Sequence, residues 1–443
     1  MQRNKIYQGD CLELAKTLPD QSVHCIVTSP PYYGLRSYET AEWNGGDPEC
    51  EHVADAKATK VFGNPEFNEN RPSRAKTKLP GYHYESVCGK CGATKTDMQI
   101  GNEPTLQEYI DRLVELFREL RRVLHDSGTL WLNLGDSYAG SGGAGAWSKR
   151  KAGFQEYAGP RGDNANRFPE STGLKPKDLI GVPWRVAFAL QDDGWWLRSD
   201  IIWHKNGMPE STKDRVTRAH EYIFMLTKSP RYYFDYLAIM EPAKESSLQR
   251  YENGWNGTTD DGSGGARSGS TYQQMAITGL PIGELMTSTK MARKRDVWRV
   301  NTAGYKGAHF AVYPPKLIEP CIMAGASEYG VCGACGAPWE RTVNRDALKH
   351  NKYEGQKQKE RNMGVQSGGT DFVRYATTGW EPTCDCDSEV VPAVVLDPFG
   401  GSGTTGMVAR GLGRDYILFE LSQKYIELAR ERIYKCQPAL FGL

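Results

Sequence analysis

The stretch VVPAVVLDPFGGSGTTGMVARGLG, residues 390 to 413, decides how this chain is read. A run of β-branched apolar residues stops at Asp397-Pro398-Phe399 and gives way to Gly400-Gly401-Ser402-Gly403-Thr404-Thr405. A helix-forming segment follows. The pattern is strand, tight turn, helix. Glycines at such a turn let backbone approach a ligand closely, and a helix N-terminus favours polar or anionic groups. The next apolar segment, DYILFE, ends on Glu420. An acid at that strand end is placed to accept both hydroxyls of a ribose, so the pair of signals reads as a site for the nucleoside part of a cofactor. The alternative is a plain strand–helix turn. No Lys-Ser/Thr follows the glycines, so the P-loop pattern is absent and phosphoryl transfer is disfavoured.

Working outward, the same alternation recurs. KIYQGD, residues 5 to 10, reads as a strand, and CLELAKTLP, residues 11 to 19, as a helix closed by proline. SVHCIVTSPPY, residues 22 to 32, reads as a strand buried on both faces of a parallel sheet. In TLQEYIDRLVELFRELRRVL, residues 105 to 124, the apolar residues Leu106, Tyr109, Ile110, Leu113, Leu116, Phe117, Leu120 and Leu124 share one helical stripe. GTLWLNLGD, residues 128 to 136, is a strand, and KDLIGVPWRVAFALQDDG, residues 177 to 194, a helix. WWLRSDIIWHK and HEYIFMLTKS, residues 195 to 205 and 220 to 229, form a strand pair. A helix, PPKLIEPCIMAGA, begins after Tyr313, and QKYIELARERI closes the pattern near the C-terminus. Strands alternating with helices predict a doubly wound, Rossmann-like α/β sheet, mostly parallel with one antiparallel hairpin strand.

The 443 residues exceed the needs of one ordinary domain. Mean hydropathy is low, -0.59, which fits polar insertions decorating a core. No apolar run is long enough to span a bilayer, and MQRNKIYQGD has no signal-peptide core. The expectation is a soluble, cytoplasmic protein. Net charge is +1, so overall charge argues for no nucleic-acid partner.

TSPPYYGLR, residues 28 to 36, raises a separate question. Pro30 and Pro31 offer no N–H to a ladder, so the strand must end there, presenting Ser29 and Tyr32 at its tip. Together, Ser29-Pro30-Pro31-Tyr32 and the Asp397–Thr405 segment resemble the amino-methyltransferases of DNA, which use S-adenosylmethionine and methylate exocyclic amines. The tetrad precedes the cofactor motif, as in their permuted β class. The resemblance covers residues 4 to 36, 104 to 230, 306 to 329 and 390 to 434.

The resemblance implies roles. An exocyclic amine is a poor nucleophile because its lone pair is delocalised into the ring. Ser29 and the carbonyl of Pro30 would accept the amine protons, with the prolines keeping these acceptors fixed. Tyr32 would stack an extruded base, so base flipping is implied. Serine at the head of the tetrad mostly accompanies cytosine-N4 in this family, with adenine-N6 the alternative. Asp10 would lie near the adenosyl group, Asp397 and Phe399 near methionine and adenine, and Glu420 at the ribose. Pro398, Gly400, Gly401, Ser402 and Gly403 would form the cofactor loop, with Thr404 and Thr405 reaching the methionine carboxylate or serving as cap and core. Phe310 and Pro314 would line the pocket. Ring-carbon methylation needs a cysteine nucleophile, and the one Pro-Cys pair, Pro320-Cys321, sits in a helix and reads as core. RNA or protein-amide methylation and a non-catalytic relative are the more distant rivals.

Residues 1–36 and 102–230 are then the catalytic half, and residues 306–329 and 389–443 the cofactor-binding half. Residues 231–305 occupy the place of a target-recognition region. Residues 37–101 and 330–388 are polar insertions.

Each insertion carries a Cys-x-x-Cys-Gly turn. The chain has 11 cysteines and no export signal, which favours metal over disulfides. Cys88 and Cys91 can be completed by Cys50 and His52; Cys332 and Cys335 by Cys384 and Cys386. Two structural zinc sites are expected, the ion supplying folding energy that such polar segments lack. The alternative is reduced, unliganded thiols.

Lys149, Arg150 and Lys151, with Arg161 and Arg167, lie in a Gly-rich loop spanning residues 139 to 173. Arg293, Lys294 and Arg295 cluster with Lys290 and Arg299 before the cofactor half. Such patches neutralise the phosphates of double-stranded DNA, or are simply a solvated face. Trp203, His204 and Lys205 end a strand on the catalytic side and are candidates to border the base pocket. A cognate restriction endonuclease is a candidate partner, but whether one exists is not legible, nor is the oligomeric state.

Overall fold

The computed structural model describes residues 2–34, 42–53, 60–61, 84–97, 99–103, 105–139, 172–175, 177–207, 210, 212–242, 291–302, 312–344 and 376–436. They form two compact units. The first holds residues 1–234, 296–338 and 384–443, the second residues 235–295 and 339–383.

The first unit is built on one sheet of eight strands. We label them β1 (Lys5–Gln8), β2 (Val23–Thr28), β3 (Leu124–Leu134), β4 (Trp196–His204), β5 (His220–Thr227), β6 (Val297–Arg299), β7 (Val394–Asp397) and β8 (Asp415–Glu420). Their spatial order is β1-β8-β7-β2-β3-β5-β4-β6. β5 runs antiparallel to both neighbours, and every other pairing is parallel. The expected single antiparallel strand is therefore β5. At the centre, β7 from the end of the chain lies beside β2 from its beginning, with Leu396 opposite Ile26. Both strands are buried along their full length, which explains their unbroken apolar sequence.

Six helices are used below: α1 (Cys11–Lys16), α2 (Leu106–Val123), α3 (Val182–Asp192), α4 (Pro315–Gly325), α5 (Thr404–Gly411) and α6 (Gln423–Lys435). The α2 start is set by Thr105, whose hydroxyl accepts the Glu108 N–H at 3.2 Å. Its apolar stripe is buried from Leu106 to Val123. Leu124, read as the last residue of that stripe, instead opens β3. The α3 helix begins five residues later than the sequence pattern from Lys177 indicates, because Asp136 caps it there, accepting the Gly181 and Val182 N–H groups at 2.9 and 3.0 Å.

The first insertion carries a four-stranded antiparallel sheet in the order Glu42–Asn44, Thr94–Asp97, Tyr84–Val87, Lys60–Val61. Within residues 231–305, β6 is an edge strand of the main sheet, paired with β4. In the second unit, Trp339–Asn344 pairs antiparallel with Ala376–Pro382, and Glu241–Pro242 with Met291–Ala292. No helix among the described residues is long and apolar enough to cross a membrane.

Candidate active site

The carboxyl ends of β2 and β7 are tied side to side. Thr28, the last residue before Ser29, donates its hydroxyl to Asp397 Oδ1 at 2.7 Å across 369 positions of sequence. Asp397 is 1% exposed and collects further donors. The Phe399 N–H reaches Oδ1 at 3.0 Å, and Thr405 Oγ1 and Tyr313 OH reach Oδ2 at 2.6 and 2.8 Å. Tyr313 also meets Thr405 hydroxyl to hydroxyl. Burial pushes the Asp397 carboxyl above the usual carboxylate range, opposed by hydrogen bonds from Thr405, Thr28 and the Phe399 N–H. Burial likewise raises the Tyr313 phenol, followed by the charge of Asp397, so Tyr313 stays a neutral donor. This cluster locks the Ser-Pro-Pro tip, the glycine turn and the start of α4 into one block.

The turn itself is braced from below. Glu420 at the end of β8 accepts the Gly401 N–H at 2.8 Å and the Ser422 N–H at 2.9 Å. Burial raises its carboxyl as well. The Leu421 N–H is a third donor to it, so about one of a carboxylate's four acceptor positions remains. Ser402, Thr404 and Thr405 bond within the protein. Arg432 of α6 bonds the Ser402 hydroxyl, its carbonyl at 2.7 Å, and Thr404 Oγ1 at 3.2 Å. Thr405 is committed to Asp397. These three hydroxyls are buried and hold the loop from inside, because α5 packs its first turn against α6 and the sheet. The N–H groups of Phe399, Gly400 and Gly401 are taken up as well, by Asp397, the Phe419 carbonyl at 2.7 Å and Glu420.

Asp10 caps α1, accepting the Leu12 and Glu13 N–H groups at 2.9 and 3.1 Å through one oxygen. Its other oxygen lies 3.6 Å from Arg112, which also approaches Glu103 at 3.9 Å. Glu103 accepts the Gly101 N–H at 2.7 Å. Burial pushes its carboxyl up to about 7, against the attraction of Arg112. Gly101 backs directly onto the tetrad: a Cβ there would lie 3.2 Å from the carbonyl oxygen of Tyr32.

Ser29 is part-exposed and Pro30 buried. The Pro31 carbonyl accepts the Tyr109 hydroxyl at 2.9 Å. Tyr32 donates its hydroxyl to Glu221 Oε2 at 2.7 Å, with Asn133 Oδ1 3.2 Å away. Cys321 is fully buried in α4, in keeping with a core role. Pro314 caps α4 in an extended conformation. Phe310, Lys149, Arg150, Lys151, Arg161, Arg167 and Lys290 lie outside the described residues. Arg293 stands 5.2 Å over the Tyr236 ring, Lys294 pairs with Glu241 at 3.6 Å, and Arg295 is exposed; all three belong to the second unit. Trp203 is buried and donates to the Val300 carbonyl at 2.8 Å, a packing role. Thr28, Tyr313, Asn133, Glu221 and Arg432 escaped the sequence reading. Tyr313 alone had a local signal, its place just before the Pro-Pro start of a helix.

Both cysteine sets come together. Cys50, His52, Cys88 and Cys91 place their ligand atoms within 4.8 Å of one another, as do Cys332, Cys335, Cys384 and Cys386. A tetrahedral ion with bonds of about 2.3 Å separates its ligands by about 3.8 Å, so both sets fit zinc. The glycines after each pair, Gly92 and Gly336, have φ of 75° and 77°, the left-handed turn that aims N–H groups at the first sulfur. The backbone N–H groups of Cys335 and Ala334 bring the Cys332 thiol down to about 6. Burial opposes the same effect at Cys88, yet the N–H groups of Cys91 and Lys90 bring it down to about 5. Thiolate is the form a metal binds. The four cysteines of the second set lie in the first unit, although the intervening chain, 339–383, belongs to the second.

The family described as DNA methylase, of the N6/N4 type, matches residues 23–332 and 391–431. Type II methyltransferase M.SmaI of Serratia marcescens is 33% identical over 436 residues, covering 97% of this chain and 91% of that protein. Type II methyltransferase M.Cfr9I of Citrobacter freundii is also 33% identical, over 97% of this chain and 87% of its own. Among solved structures, the cytosine-N4-specific PvuII DNA methyltransferase is 14% identical with a TM-score of 0.44, covering 98% of this chain and 86% of that one. With the tetrad and the glycine turn joined at Thr28 and Asp397, and with matches of this extent, the chain belongs to the N6/N4 family of DNA methylases, the S-adenosylmethionine-dependent DNA amino-methyltransferases.

Proposed function

We propose that the protein methylates the N4 amino group of a cytosine flipped out of double-stranded DNA, using S-adenosylmethionine. The observation that carries the reading is the Thr28–Asp397 bond, which sets Ser29 beside the glycine turn. The cofactor supplies an electrophilic methyl when bound. Gly400, Gly401 and the Phe399 backbone would cradle it, and Glu420 would accept a ribose hydroxyl. Ser29 Oγ and the Pro30 carbonyl accept the two amine protons and bend the nitrogen towards tetrahedral geometry, directing its lone pair at the methyl. The buried Pro30 and the anchored Pro31 carbonyl hold those acceptors still. The nitrogen loses one proton as the new bond forms, and water at the open tip can take it. Tyr32 supplies the face against which the extruded base rests.

Serine at position 29 supports cytosine over adenine. Arg293, Lys294 and Arg295 are candidate phosphate contacts. The similarity to type II methyltransferases supports a cognate endonuclease as partner. Two structural zinc ions in the cysteine sets complete the proposal. The test is digestion of duplex DNA, after incubation with protein and methyl-labelled cofactor, to nucleosides for mass spectrometry. Label in N4-methyldeoxycytidine is expected. Label in N6-methyldeoxyadenosine would overturn the choice of base, and no label the activity.

A further inference from the structure

Tyr32 rests on an assembly of polar and charged side chains drawn from the neighbouring strands. Its ring lies against Gly135, just past the end of β3, where a Cβ would sit 2.4 Å from Tyr32 Cε2. No other residue leaves room for the ring in this position. Its hydroxyl donates to Glu221 Oε2 at 2.7 Å. Glu221 stands on β5 opposite Trp203 of β4. Its second oxygen is gripped by the ammonium of Lys205, which lies 4.3 Å over the Trp203 ring. Lys205 is itself tied by its backbone N–H to the Ala219 carbonyl at 2.8 Å. Asn133 closes the arrangement, donating to the Tyr222 carbonyl at 3.0 Å with its amide oxygen 3.2 Å from the Tyr32 hydroxyl.

We propose that Glu221 is a positioning residue, held by Lys205, that fixes the Tyr32 ring as a ready-made platform for the extruded base. An unanchored tyrosine on a loop samples several rotamers, and each productive encounter must then select one. A charge-assisted bond at the ring's far end, with glycine beneath, removes that choice before DNA arrives. Three strands contribute to the anchor, so the platform is set by the sheet rather than by the loop. The inference rests on the reading of Tyr32 as the base platform.

The test uses the full-length protein and a duplex carrying 2-aminopurine at its mapped target base. Glu221→Ala and Tyr32→Phe should each lower kcat about 10-fold and reduce the fluorescence rise that reports extrusion, without changing cofactor affinity. Combined, they should do no more than either alone, because both remove one bond. Glu221→Gln, which keeps an acceptor, should recover most of the rate. Multiplying effects in the double variant, or Glu221→Ala with unchanged kcat and fluorescence, would overturn the proposal. Tyr32→Ala separates the two levels: if it leaves rate and fluorescence intact, the platform reading itself falls.

Discussion

Asp397 shows how much a single side chain can settle. A buried carboxylate without partners would be costly, and this one collects donors from Thr28, Phe399, Tyr313 and Thr405. Its place at a strand end was legible, since acid-after-apolar-run is a strong local pattern. The direction of its oxygens was not, because three of the four donors are distant in sequence or hidden in a helix. The same limit explains Ser402, Thr404 and Thr405. Hydroxyls at a helix start look equally ready for a ligand or for the interior; Arg432, 28 to 30 residues away, decides for Ser402 and Thr404, and Asp397 for Thr405. Glu103 carries a consequence at this scale. Its ordinary value is 4.5 and burial raises it to about 7. Below pH 4.5 folded and unfolded chains both hold the proton; across the window from 4.5 to 7 the folded chain holds it more tightly. Stability therefore falls as pH rises through that window, by up to roughly 3 kcal/mol from this group. Denaturant unfolding at a series of pH values should show the fall in the native protein and a flatter profile in Glu103→Gln. Parallel profiles would contradict the assignment.

Among the elements, those with long periodic patterns were readable and the short ones were not. The α2 stripe and the β2 and β7 apolar runs declare themselves because burial repeats along them. The strands of the first insertion are two to four residues long, too short for any period to emerge. Beside these paired strands Cys50, His52, Cys88 and Cys91 converge, and Trp43 of the first strand stacks on His52 at 4.9 Å. Metal analysis of the purified protein should find about two zinc ions per chain. Removal by a chelator should lower the melting temperature and loosen the first insertion, read as faster amide exchange at residues 84–97 than in β2 and β7. Protein free of metal that melts at the same temperature would remove zinc from the account.

At the scale of the molecule, the chain closes on itself: β7 and β8, from its last fifty residues, fill the sheet between β1 and β2. The order of motifs made that arrangement readable in advance. The partition of the remainder was not, because residues 235–295 and 339–383 join one unit through contacts such as the Arg341–Asp235 ion pair at 3.0 Å, which no local pattern announces. Everything functional depends on the tip at Ser29 and the turn at Gly400 acting on the same molecule of cofactor and base. The most direct test is single-turnover methyl transfer by Ser29→Ala, with cofactor binding measured by calorimetry on the same preparation. The account predicts a rate at least about 100-fold lower with cofactor affinity changed less than about twofold. Undiminished transfer, or a loss of cofactor affinity that accounts for the whole defect, would contradict it.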